Sequence, residues 1–111
     1  MASYSDSSGL FDAERREYYA KRPGFHINEL QLAPGQSVPW HYHTNIQDTF
    51  YVLAGRLRIS LRNPDEEVIL DPSETFSVRP QRPHRVTPAT KTSANFLVLQ
   101  GIGEYDFVPV D

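Results

Sequence analysis

Apolar and polar residues alternate along most of this chain in short runs, and glycine, proline or polar clusters end each run before it reaches helical length. The clearest run is Leu57, Ile59 and Leu61, interleaved with Arg58 and Ser60 and flanked by Arg56 and Arg62. A period of two puts the aliphatic side chains on one face of a strand and the polar ones on the other. Just upstream, Asp48 to Ala54 is rich in apolar and aromatic residues (Phe50, Tyr51, Val52, Leu53), and the Ala54-Gly55 turn between the two runs predicts a hairpin. Further strands are expected over Phe25 to Leu32, Ser37 to His43, Glu67 to Leu70, Thr75 to Arg79 and Ala94 to Gln100, with Arg85 to Thr87 also extended. Turns fall at Ala33-Pro34-Gly35, Asn63-Pro64-Asp65-Glu66 and Asp71-Pro72-Ser73, where these residue types favour tight reversals.

About seven or eight short strands separated by regular turn signals point to an all-β sandwich or barrel. The one helix candidate is Leu10 to Lys21, with Ser7 or Ser8 as cap and Pro23-Gly24 as stop. Its apolar positions (Leu10, Phe11, Tyr18, Tyr19) are few, so an irregular arm or an edge strand is the alternative. The Ser-rich start, residues 1–9, is expected to be disordered. The chain therefore divides into an N-terminal arm, residues 1–24, and a barrel domain, residues 25–111. At the other end Tyr105, Phe107, Val108 and Val110 are apolar enough to pack, as core rather than as a patch for a partner.

Composition narrows the function classes. A chain of 111 residues suits a single core. A net charge of −3 supplies no basic field for nucleic acid. Having no cysteine, the chain offers no disulfide, thiolate ligand or cysteine nucleophile. Neither a signal-like apolar run nor a membrane span is apparent, so a cytoplasmic location is the default expectation.

The candidate chemistry lies between Gly35 and Gly55. His41 and His43 stand at i and i+2. On a strand they project to the same side, whereas on a helix they would point about 200° apart. The same alternation puts Val38, Trp40 and Tyr42 on the opposite face from Pro39, His41 and His43. Asp48 follows five residues after His43, and Pro80 to Pro83 forms a tight loop that delivers His84. Three imidazoles and one carboxylate meeting inside a small barrel would suit a divalent first-row metal. Capping a turn, or bonding a histidine ring N–H from outside the ligand set, is the alternative role for Asp48.

These residues resemble the cupin superfamily, in particular its small single-domain members. The first motif of that family, G-x5-H-x-H-x3–4-E-x6-G, is matched by Gly35, His41, His43 and Gly55, with Asp48 where glutamate is usual. The second, G-x5-P-x-G-x2-H-x3-N, retains His84, preceded by Pro83; its other positions hold Ser73, Arg79, Gln81 and Pro88. The resemblance covers about residues 25–100. It implies a double-stranded β-helix, or jelly-roll barrel, often homodimeric, with a metal held by His41, His43, Asp48 and His84.

Two classes of function follow. The first is a metalloenzyme acting on a small molecule. With Fe(II), favoured because three neutral imidazoles and one carboxylate suit redox iron, it would be a dioxygenase. With Mn, Ni or Zn it would be an isomerase or decarboxylase, and Cu would also fit the ligands. The second is a binding protein for a metal or small molecule, without turnover. No general base stands out beyond Tyr51 and His26. Gln47, Tyr51 and Arg56 could touch a substrate but read better as outward strand residues. Arg79, Arg82 and Arg85 read as loop charges. Trp40 and Tyr42 read as packing between sheets or at a dimer interface.

Overall fold

The computed structural model describes residues 2–111. It is all-β, as expected, and folds into ten strands: β1 (Arg15–Arg22), β2 (Phe25–Leu32), β3 (Val38–Tyr42), β4 (Gln47–Ala54), β5 (Leu57–Leu61), β6 (Glu66–Leu70), β7 (Thr75–Val78), β8 (His84–Pro88), β9 (Ala94–Gly101) and β10 (Val108–Pro109). Two antiparallel five-stranded sheets form, ordered β1-β2-β9-β4-β7 and β10-β3-β8-β5-β6. Their inner faces share one core, in which Leu32, Val52, Leu57, Ile59, Val86 and Phe96 are fully buried. Strand parity builds that core. Leu57, Ile59 and Leu61 point inward as their alternation predicts, as do Phe50 and Val52 of β4 and Phe96 and Val98 of β9. No helix among the described residues is long and apolar enough to cross a membrane.

The helix expected over Leu10 to Lys21 does not form. Its second half is the edge strand β1, paired with β2 from Arg15↔Gln31 to Arg22↔Phe25. Glu29 of β2 explains the preference: its carboxylate accepts hydrogen bonds from Arg15, Tyr19 and, at 2.8 Å, Asn95. Cross-strand pairing of this kind outweighs a weak helical pattern. Within the stretch expected to be disordered, Tyr4 bridges to Phe107 and Asp6 pairs with Lys21 at 3.3 Å; Met1 lies outside the described residues.

The β4–β5 hairpin does not form either. β4 pairs with β7 and β9, whereas β5 pairs with β6 and β8 in the other sheet. Gly55 therefore carries the chain from sheet to sheet. It has φ of +76°, and a Cβ there would lie 2.3 Å from the Ser93 carbonyl oxygen.

A third difference lies in β3. The pairing with β8 shifts register between Val38 and His41, a bulge that puts both side chains inside despite their odd separation. Val38 therefore belongs to the histidine face. Trp40 instead stacks under the Arg62 guanidinium at 3.9 Å.

Candidate metal centre

The four singled-out residues converge at one end of the barrel. His41 comes from β3 and His43 from just beyond it, Asp48 from β4 and His84 from the start of β8. His41 sits directly opposite His84 in the β3–β8 ladder. Each is at most 2% exposed, and one ligand atom from each lies within 4.8 Å of all the others.

Hydrogen bonding fixes which nitrogen each ring turns inward. Nδ1 of His41 donates to the Pro39 carbonyl at 2.8 Å, and Nδ1 of His84 to the Arg82 carbonyl at 2.9 Å. Nδ1 of His43 donates to the Asp106 carbonyl. With every Nδ1 proton held by backbone, a neutral ring presents a bare Nε2 lone pair to the centre. Two of these, on His43 and His84, lie 2.9 Å from Asp48 Oδ2. Three nitrogen lone pairs and a carboxylate oxygen facing one another demand positive charge between them, as an added proton or a cation. The donor set therefore fits a divalent ion: three imidazoles and one carboxylate, each already oriented from behind.

Without a metal, a proton takes that place. At His41 burial, with the His84 and His43 rings beside it, pushes the pKa well below its ordinary value. At His43 burial opposes the charge, but the adjacent Asp48 carboxylate outweighs it and raises the pKa. Burial would raise Asp48, yet His43 and His84 hold it well below the usual carboxylate range.

The C-terminal tail closes the site. Phe107 is buried and stacks on His41, with centroids 4.1 Å apart and planes at 10°. Tyr105 lies against His26 at 4.8 Å and His43 at 5.4 Å, and burial pushes its phenol pKa upward. Asp106 accepts from the Thr44 backbone N–H at 2.8 Å and from the Thr44 hydroxyl, tying the tail to the loop after His43. Beside the cluster lies a cavity of about 40 Å³.

Of the remaining candidates, His26 is half-buried under Tyr105 on β2. Gln47 and Tyr51 face outward, and Arg56 pairs with Asp71 at 2.7 Å on the surface. Arg82 braces the β5–β6 turn through the Arg62 and Pro64 carbonyls and Glu66, while Arg79 bonds the Asn63 carbonyl.

Sequence reasoning missed Asn28 and Gln100. Gln100 Nε2 donates to Asp48 Oδ1 at 3.0 Å, and Asn28 Nδ2 donates to Gln100 Oε1 at 2.9 Å. Parity could have found both, since Asn28 shares the inward register of Leu30 and Leu32, and Gln100 that of Phe96 and Val98.

The family model for the cupin domain matches residues 28–100. Among solved structures, the chain is similar to a conserved double-stranded β-helix protein from Klebsiella pneumoniae, at TM-score 0.76 and 18% identity over 87% of this chain and 84% of that one. It is similar to the TT1209 protein of Thermus thermophilus, at TM-score 0.72 and 21% identity over 80% and 83% of the two chains. An oxalate oxidase superposes at TM-score 0.71 and 22% identity over 78% of this chain but only 46% of its own. At these identities the likeness concerns the fold. No curated protein matches the sequence.

Proposed function

The chain belongs to the cupin family, and on that premise we propose that it is a small-molecule oxidoreductase of dioxygenase type whose metal is held by His41, His43, Asp48 and His84. The observation that carries this reading is the inward-facing set of three Nε2 lone pairs and one carboxylate oxygen, all within 4.8 Å. Imidazole and carboxylate ligands also accept Mn, Ni, Cu and Zn. Fe(II) is favoured because, once bound, it supplies electron exchange with dioxygen and an organic substrate.

The surrounding residues favour redox chemistry over proton abstraction. Besides His41, His43 and Asp48, the ionisable groups that line the cavity are Arg16, Glu17, Tyr18 and Tyr105. Arg16 is engaged by the Phe11 carbonyl and ring, and Glu17 and Tyr18 are exposed. Tyr105 stays protonated because burial raises its pKa. An isomerase or decarboxylase would need a base close to the substrate; the one carboxylate on the wall besides Asp48 is Glu17, which is exposed and lies 3.7 Å from the Arg15 guanidinium. Phe50, Val98 and Phe107 line the cavity with apolar surface beside the cluster. The oxalate oxidase among the similar folds is in keeping with oxidation on such a barrel.

The test is metal analysis of protein purified without chelator, followed by oxygen consumption with Fe(II) against catechols, diketones and thiols. The proposal expects turnover on at least one class. Stoichiometric metal with no oxygen uptake on any class would leave a binding protein instead.

A further inference from the structure

Among the described residues, the buried side-chain polar atoms without a hydrogen bond are Asn28 Oδ1 and Arg58 Nε, and the second of these is in ion-pair contact with Glu67, away from the metal centre. Asn28 lines the cavity beside the cluster.

The identity of its free atom follows from the chain of bonds behind it. An ionised carboxylate can only accept, so Asp48 Oδ1 requires the NH2 end of Gln100. That leaves Gln100 Oε1 as an acceptor, which requires the NH2 end of Asn28. Both amides are thereby locked, and Asn28 is left with a bare carbonyl oxygen. A buried acceptor without a protein donor is uncommon, and a donor group that enters the cavity, whether on water or on a ligand, would pair with it.

We propose that the cavity takes a small uncharged molecule carrying an N–H or O–H donor, and that Asn28 Oδ1 is the acceptor that orients it beside the metal centre. The substrate class rests on the metalloenzyme reading; the donor preference of the cavity does not. Size and charge support it. The cavity, about 40 Å³, has room for roughly three waters or a molecule of a few heavy atoms. Arg16 is the one lysine or arginine on its wall, and Phe11 already engages its guanidinium. A carboxylate would bring only lone pairs to Asn28 Oδ1, and without a bound cation its charge would also face Asp48. Asn28 acts here as a binding and positioning residue, and its link through Gln100 to Asp48 couples ligand orientation to the cluster.

The test uses three probes of one shape: acetamide, which carries the donor, acetone, which lacks it, and acetate, which lacks it and is charged. Binding is followed by amide chemical shifts of the full chain, both Zn(II)-loaded and after chelation, with metal content measured on the same samples. Acetamide is expected to bind about tenfold more tightly than acetone, the effect of one hydrogen bond, with acetate weaker still on the chelated chain. Asn28→Leu should abolish the preference for acetamide at unchanged metal content, and Asn28→Ser, which keeps an acceptor, should restore part of it. Equal binding of acetamide and acetone by the wild-type chain would overturn the proposal, as would a preference that survives Asn28→Leu. A chain that takes up no metal but still prefers acetamide would refute the metal reading alone.

Discussion

Replacing Gly55 with alanine should test how the chain passes from one sheet to the other, and the structure sets its cost. Two effects combine. The residue has φ of +76°, where a side chain costs about 1–2 kcal/mol, partly offset by the roughly 0.4–1 kcal/mol that alanine gains by restricting the unfolded chain. The new Cβ would also lie 2.3 Å from the Ser93 carbonyl oxygen and 3.0 Å from Ala94 Cα. Both are backbone atoms leading into β9, which is held between β2 and β4, so relief must come from moving a central strand. Overpacking of that kind costs about 1–3 kcal/mol. The sum is about 1–4.5 kcal/mol, or a fall in Tm of about 4–18 °C for a domain of this size. Gly35→Ala is the matched control. Its φ is +89°, but nothing lies within 4 Å of the added Cβ, so only the conformational cost applies, about 1 kcal/mol or less. Thermal unfolding of the two variants side by side separates the steric effect from the conformational one. Equal losses of Tm would refute the argument that Gly55 is required by the approach of β9.

Two further outcomes follow from the metal centre. Thr44→Val removes the hydroxyl that holds Asp106, whose carbonyl orients His43; metal affinity, measured by chelator competition, should fall about tenfold while stability drops by about 1 kcal/mol. The pH dependence of the metal-free protein has a definite sign. Burial holds the folded pKa of His41 below the ordinary 6.5, so from pH 6.5 downwards the unfolded chain binds a proton that the folded one refuses, and stability falls. Asp48, depressed below 3.8, adds a second loss as pH falls through the acid range. The contribution of His43, whose folded pKa is raised, is fully present below 6.5 and so does not alter the slope there. Tm measured between about pH 6 and pH 4 should decline, and His41→Leu should flatten the upper part of the decline; an unchanged slope in that variant would contradict the assignment.

The cluster was legible because its residues declare themselves locally. His41 and His43 share a face by strand parity, and the family motif picks out Asp48 and His84. The core of β5 was legible for the same reason, since Leu57, Ile59 and Leu61 alternate strictly. What escaped was decided by distant partners. The turn at Gly55 was visible, but whether it closes a hairpin or crosses between sheets depends on β7, β8 and β9, far along the chain. The edge strand β1 owes its form to Glu29, and the inward turn of Val38 to a bulge set by the pairing with β8. The tail was expected to pack, but nothing local shows that Phe107 stacks on His41 or that the Asp106 carbonyl holds His43.

If His41, His43, Asp48 and His84 act together as a metal site, removing two of them should empty it. The most direct test is elemental analysis of wild-type protein and a His41→Ala/His84→Ala double variant, both dialysed against Fe(II), Mn(II) and Zn(II) and then freed of loose ions. The wild type should retain about one ion per chain, and the double variant none, while circular dichroism shows the β-fold kept in both. Equal metal content in the two proteins would contradict the assignment.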